Sequence, residues 1–161
     1  MRSIKTASKL GIILALVCAQ AIAQGPRVTV ALESATVKPG HRADIKLSLA
    51  IPPGRQVAGL NWTLLYPETA IEDLVLTAGP AAHAAEKLLK CRSVAGGTKC
   101  LLFGLNKNTL APGTLATVTF RVREGAAKSS IDLQLIDLVA ASPLGLPIPC
   151  TASSGSITVR E

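Results

Sequence analysis

The chain has 161 residues, 48% of them hydrophobic and only 2% aromatic, so it can bury a sizeable core but has few rings to spare for its surface. Its 17 Lys/Arg against 10 Asp/Glu give a formal charge of +7, yet the basic residues are scattered singly, without the clustered stripe and interleaved aromatics of a nucleic-acid binder. The length fits one domain, and scattered carboxylates with neither G-x-S-x-G nor a phosphate-cradling glycine loop speak against an enzyme.

Arg2, Lys5 and Lys9 form a positive start, Leu10 to Ala23 is an apolar run of 14 residues, and Ala21-Ile22-Ala23 has the small-x-small pattern of a signal-peptidase site. Such a run falls short of the roughly 20 residues that span a bilayer as a helix. Residues 1–23 are therefore read as a signal peptide and residues 24–161 as one exported domain, secreted or periplasmic, with no membrane span in the mature chain. Setting the leader aside leaves 14 basic against 10 acidic residues, a net of +4.

The mature sequence reads as strands nearly throughout. Arg27 to Leu32 alternates, and Lys38-Pro39-Gly40 turns. Ala43, Ile45, Leu47, Leu49 and Ile51 then face one side while Arg42, Asp44, Lys46 and Ser48 face the other, the pattern of a half-buried antiparallel strand. Pro52-Pro53-Gly54 ends it. In Gly59 to Ala70, Leu60, Trp62, Leu64 and Tyr66 point one way, toward a core, and Asn61, Thr63 and Leu65 point the other. Ile71 to Thr77 is a further apolar run, and Ala81 to Lys90 changes composition to a short helical turn behind Pro80 that runs into a strand by Leu89.

Cys91 to Leu105 reads as a hairpin around Ala95-Gly96-Gly97. With Cys18 in the leader, Cys91, Cys100 and Cys150 remain. If the turn centres on Ala95-Gly96, Cys91 and Cys100 stand opposite each other, within reach of a disulfide; the alternative is two small buried hydrophobes. Cys150 is left unpaired in a Pro-rich return loop. No C-x-x-C occurs and neither His41 nor His83 has a metal-ligand spacing to a cysteine, so no metal or other cofactor is expected. After the turn at Ala111-Pro112-Gly113, Ala116, Val118, Phe120 and Val122 alternate with polar residues. Ile131, Leu133 and Leu135 follow on the next strand, and Gly155 to Val159 closes the chain. Eight or nine short strands with turns between them predict an all-β fold, a two-sheet antiparallel β-sandwich.

Four elements carry a resemblance: Lys38-Pro39-Gly40 before an alternating strand; Val57 to Ile71 leading on to Gly79; Ala111-Pro112-Gly113-Thr114-Leu115-Ala116-Thr117-Val118-Thr119-Phe120-Arg121-Val122; and the terminal Gly155-Ser156-Ile157-Thr158-Val159. In this order and spacing the chain resembles the cohesin family, the receptor modules of cellulosomal scaffoldins. The resemblance implies a jelly-roll sandwich of about nine strands that binds another protein, the dockerin module, through one sheet face. Counting back from Tyr66, the family's dockerin-contacting Asn/Asp pair falls on Gly59 and Asn61; here Pro67 follows Tyr66 where the family has Asp.

The function expected is that of a secreted, non-catalytic module for dockerin-type association, in the setting of extracellular polysaccharide degradation, with Asn61, Thr63 and Leu65 as partner-binding residues. The family's kinship with carbohydrate-binding modules makes polysaccharide binding the alternative. Against it, the alternation turns Trp62, Tyr66 and Phe120 inward, away from any sugar.

Overall fold

The computed structural model describes residues 25–126 and 129–160; the leader read from residues 1–23 lies outside them. The chain runs through β1 (Val28–Leu32), β2 (Ala35–Val37), β3 (Arg42–Ala50), β4 (Gly59–Leu65), β5 (Ile71–Ala78), the short helix α1 (Pro80–Ala84), β6 (Leu88–Val94), β7 (Gly97–Phe103), β8 (Gly113–Val122), β9 (Ser130–Ala141), β10 (Pro147–Ile148), β11 (Cys150–Ser153) and β12 (Gly155–Val159). Sheet one has the order β11-β1-β3-β8-β5. Sheet two has the order β2-β12-β9-β4-β7-β6, with β10 beside β9.

The period-two pattern decides which face of each strand is covered. In β3, Ile45, Leu47 and Leu49 are buried while Arg42, Asp44 and Lys46 stand in solvent. In β8, Ala116, Val118, Phe120 and Val122 are buried in the same way. These faces meet Leu60, Trp62 and Leu64 of β4 and Ile131, Leu133 and Leu135 of β9 in one continuous core. Trp62 and Phe120 are its largest fully buried side chains. At about 1.5–3 kcal/mol per buried aliphatic or aromatic side chain, this core supplies the main drive to fold.

Most pairings are antiparallel, as the alternation predicts, but β1 pairs with β11 and β2 with β12 in parallel. The reason is a shared crossing. The chain passes from sheet one to sheet two at Glu33-Ser34, between β1 and β2, and again at Ser154, between β11 and β12. The two crossings run side by side, with the Ser156 amide donating to Ser34 Oγ at 2.9 Å. Gly155 allows this approach, since a Cβ there would lie 2.5 Å from the Glu33 carbonyl oxygen. The strand count exceeds nine because β2, β10 and β11 are short pieces. Pro147 and Pro149 bracket β10 and leave no alternating run long enough to read in sequence.

Register shifts shape the sheets: the β3–β8 ladder shifts between Leu47 and Ser48, and two further shifts carry left-handed residues. The β4–β9 register shifts between Asn61 and Thr63, opposite Asp137, which takes φ +52°. The β5–β8 register shifts between Glu72 and Val75, around Asp73 at φ +54°. An extra residue with left-handed φ is how a bulge re-aims the side chains that follow it. Thus β5, expected as a mostly apolar run, is an edge strand with Ile71 buried and Val75 exposed.

Candidate functional site

The two outer faces of the sandwich differ in kind. On sheet one the outer face is polar and largely paired with itself. Arg42 Nη2 lies 3.4 Å from Asp73 Oδ2, Arg123 Nη1 lies 2.9 Å from Glu72 Oε2, and Thr119 Oγ1 donates to Asp44 Oδ1 at 2.6 Å. On sheet two, strand register sets Leu101 of β7 and Val139 of β9 on either side of Asn61 of β4, and Lys90 of β6 beside Leu101. The next row brings Arg92, Lys99, Thr63 and Ile136 side by side, and the row before it pairs Leu88 with Phe103.

Leu88, Leu101, Ile136 and Val139 are all exposed large hydrophobics. Clustered apolar side chains on one sheet face are a recognition feature where scattered ones are not. The bulge at Asp137 creates part of this surface. It keeps Ile136 and Val139 on the outer side although they are three positions apart, while Leu135 stays in the core.

Lys90, Arg92 and Lys99 make the β6–β7 side of the face basic, and none of them is ion-paired with another described residue. Asp132 and Asp137 lie toward β9. A hollow of about 370 Å³ opens beside Asn61, between Lys90, Arg92, Lys99 and Leu101.

Of the three residues expected to face outward on β4, Asn61 and Leu65 are half-buried within this surface. Thr63 points the same way but is only 5% exposed, because its hydroxyl donates to Asp137 Oδ2 at 3.3 Å beneath the bulge. It holds the bulge in place, and the accessible positions around it belong to Ile136, Asp137 and Lys99. The apolar contact residues escaped the sequence reading for two reasons. Leu101 sits in the continuous apolar run Cys100 to Phe103, where alternation leaves no mark, and the bulge resets the period after Leu135. The one available signal was Asp137, a polar residue in an otherwise apolar run from Leu135 to Ala141.

Cys91 and Cys100 are joined by a disulfide, with their Cα atoms 4.1 Å apart in directly opposed positions of β6 and β7. The two-residue turn Ala95-Gly96 that sets this register needs Gly96 at φ +71°. The bridge lies on the core side of the hairpin that carries Lys90, Arg92, Lys99 and Leu101 on its outer side. Cys150 is a free thiol at the start of β11, half-buried, with Sγ donating to the Leu138 carbonyl at 3.4 Å.

Behind the hairpin, Lys87 is 97% covered, and its Nζ donates to Asn106 Oδ1 at 2.7 Å and to the Asn106 carbonyl at 3.3 Å. Asn106 in turn donates to the Ala85 and Glu86 carbonyls. Asn108 donates to Glu86 Oε2. Desolvation lowers the Lys87 pKa from the ordinary lysine value. This network ties the approach to β6 to the loop after β7, so it positions the face without belonging to it. Trp62 is fully buried, Phe120 nearly so, and Tyr66 half-buried with its hydroxyl 3.5 Å from Thr98 Oγ1. None of the three provides a flat exposed ring, and a polysaccharide site gains no support from them.

The two-sheet jelly-roll defines a class: the fold is that of the cohesins, and solved structures similar to it are cohesins. They include the non-cellulosomal cohesin of the hyperthermophilic archaeon Archaeoglobus fulgidus, at 18% identity and TM-score 0.72, covering 84% of this chain and 93% of that one. The cohesin–dockerin complex Coh-OlpA-Doc918 of Clostridium thermocellum matches at 12% identity and TM-score 0.75, over 84% of this chain and 100% of that one. The sixth cohesin of Acetivibrio cellulolyticus scaffoldin B, solved with a dockerin, matches at 14% identity and TM-score 0.72, again over 84% and 100%. No family model matches the sequence, and no curated protein matches it.

Proposed function

We propose that this chain is a non-catalytic binding module, exported from the cell, that docks another protein of dockerin type on the outer face of sheet two. The observation that carries this reading is the cluster of Leu88, Leu101, Ile136 and Val139, exposed together around Asn61 and bordered by Lys90, Arg92 and Lys99, which form no ion pair among the described residues. The opposite face is polar, with Arg42 and Arg123 paired to Asp73 and Glu72, and has no such cluster among the described residues. The likeness to cohesins solved with dockerins supports the choice of partner class. Aliphatic side chains at the centre would exclude water, and the basic side chains at the rim would orient a partner carrying acidic residues there.

The reading is tested by capture of partners from the organism's exported proteins, followed by titration of the captured protein. Leu101→Arg/Val139→Arg should weaken binding by about thirtyfold or more, since loss of a hot spot at an interface centre costs about 2 kcal/mol or more. Thr117→Arg on sheet one should leave it unchanged. Equal binding by both variants would remove this face from consideration.

A further inference from the structure

One end of the sandwich has a different character from the sheet face. The loops 51–58, 104–112 and 142–146 gather there: the Ala58 amide donates to the Ala141 carbonyl at 2.8 Å, and the Leu110 amide to the Val57 carbonyl at 2.7 Å. Leu144 at 76% exposed, Leu146 at 61% and Leu105 at 105% project from these loops and are the most exposed large hydrophobics among the described residues. Leu105 continues from β7 and Leu144 from β9, strands that both flank β4 and end at this end of the sheet. Leu105 projects from the 104–112 loop, and Leu144 and Leu146 project together from the 142–146 loop.

The turn that carries Leu144 and Leu146 also hides its own donors. The Ser142 amide donates to the Leu146 carbonyl and the Gly145 amide to the Ser142 carbonyl, both at 2.9 Å. Ser142 Oγ accepts from the Leu144 and Leu146 amides at 3.3 and 3.2 Å. Pro143 and Pro147 have no amide hydrogen. Every backbone N–H from 142 to 147 is thus absent or bonded within the turn, which suits a segment entering a medium that offers no acceptors. Gly145, at φ +75°, makes this closed turn possible.

Charge at this end has one dominant sign. Arg27, Arg55 and Lys107 are exposed here, and Glu86 is the only carboxylate on these loops or on the link from α1 to β6 among the described residues. We propose that this end of the molecule docks on an anionic lipid surface, with Leu105, Leu144 and Leu146 seated among the acyl chains and Arg55 and Lys107 at headgroup level. A protein partner would need matching pockets for leucines projecting from two loops, whereas a bilayer interface yields to any such shape. The combination of shallow apolar insertion and basic flanks is what holds peripheral proteins on anionic membranes. This surface is separate from the sheet face, and protein docking there stands or falls independently.

The test places a reporter at the tip of the full-length chain. In Leu144→Trp the only other indole is Trp62, fully buried, so its emission is a fixed background. With vesicles of phosphatidylcholine and phosphatidylglycerol, the tip emission should move to shorter wavelength and be quenched by brominated acyl chains. Both effects should be weaker on phosphatidylcholine alone and decline with salt. Arg55→Glu/Lys107→Glu should lower the bound fraction about tenfold or more at low salt. Unchanged tip emission on anionic vesicles overturns the proposal, whether or not the chain sediments with them through another segment. A shift produced by lipid-free extract protein and absent with vesicles overturns it in favour of a protein groove.

Discussion

Reduction of the Cys91–Cys100 bridge separates what the disulfide contributes from what the core contributes. The bridge spans a sequence separation of 9, and closing a loop of about ten residues in the unfolded chain is worth about 2.7 kcal/mol on the chain-entropy account. Reduction leaves the packing nearly intact, because a thiol at buried Cys100 fills the same place as a small hydrophobe and Cys91 is exposed outside the core. Cys150 is free in both states and cancels. A domain of this size has a total stability of about 5–15 kcal/mol, so the reduced protein should stay folded. With a urea dependence of about 1–3 kcal/mol per molar, its midpoint should fall by about 1–3 M. The assay is a urea titration of oxidised and dithiol-reduced protein, followed by far-UV circular dichroism and tryptophan emission. Loss of the cooperative transition on reduction would show that the sandwich depends on the bridge, and an unmoved midpoint would show that the hairpin is already constrained in the unfolded chain. Either result refutes the reasoning.

Other expectations concern the groups behind the face. Asn106→Ala removes the 2.7 Å acceptor of a covered ammonium and should cost about 2–3 kcal/mol, measurable as a lower urea midpoint. Lys87 has a lowered pKa in the folded state because burial disfavours its charge, so the unfolded chain binds more protons between that value and the ordinary 10.5. Folded stability should therefore rise with pH across this window relative to Lys87→Met, as urea midpoints compared at pH 8 and pH 10 would show. Trp62 should emit at short wavelength and resist iodide quenching in the native state; a wet indole would contradict the sandwich itself.

The long alternating strands were readable because one covered face forces period two. β3 and β8 fall where the alternations Arg42 to Ile51 and Ala116 to Val122 predict them, with β3 ending at Ala50 and β8 beginning at Gly113, and the hairpin turn at Ala95-Gly96 correctly implies the opposed cysteines. Sequence could not show that β1 and β2 would find parallel partners at the far end of the chain, since pairing over that distance leaves no local pattern. The candidate face was half legible. Asn61 and Leu65 stand out on β4, but Leu101 is hidden in an apolar run, and Ile136 and Val139 depend on a bulge that no propensity announces. Thr63 shows the converse error: alternation gives the direction of a side chain and cannot say what covers it.

The side-by-side crossings have a consequence for how the molecule comes into being. β2 has no ladder partner except β12, and Ser34 meets Ser156 across 122 positions of sequence. At a synthesis rate of about 5–20 residues per second, the opening segment waits roughly 6–24 s for the residues that will hold it. Through that interval the nascent polypeptide cannot close its seam.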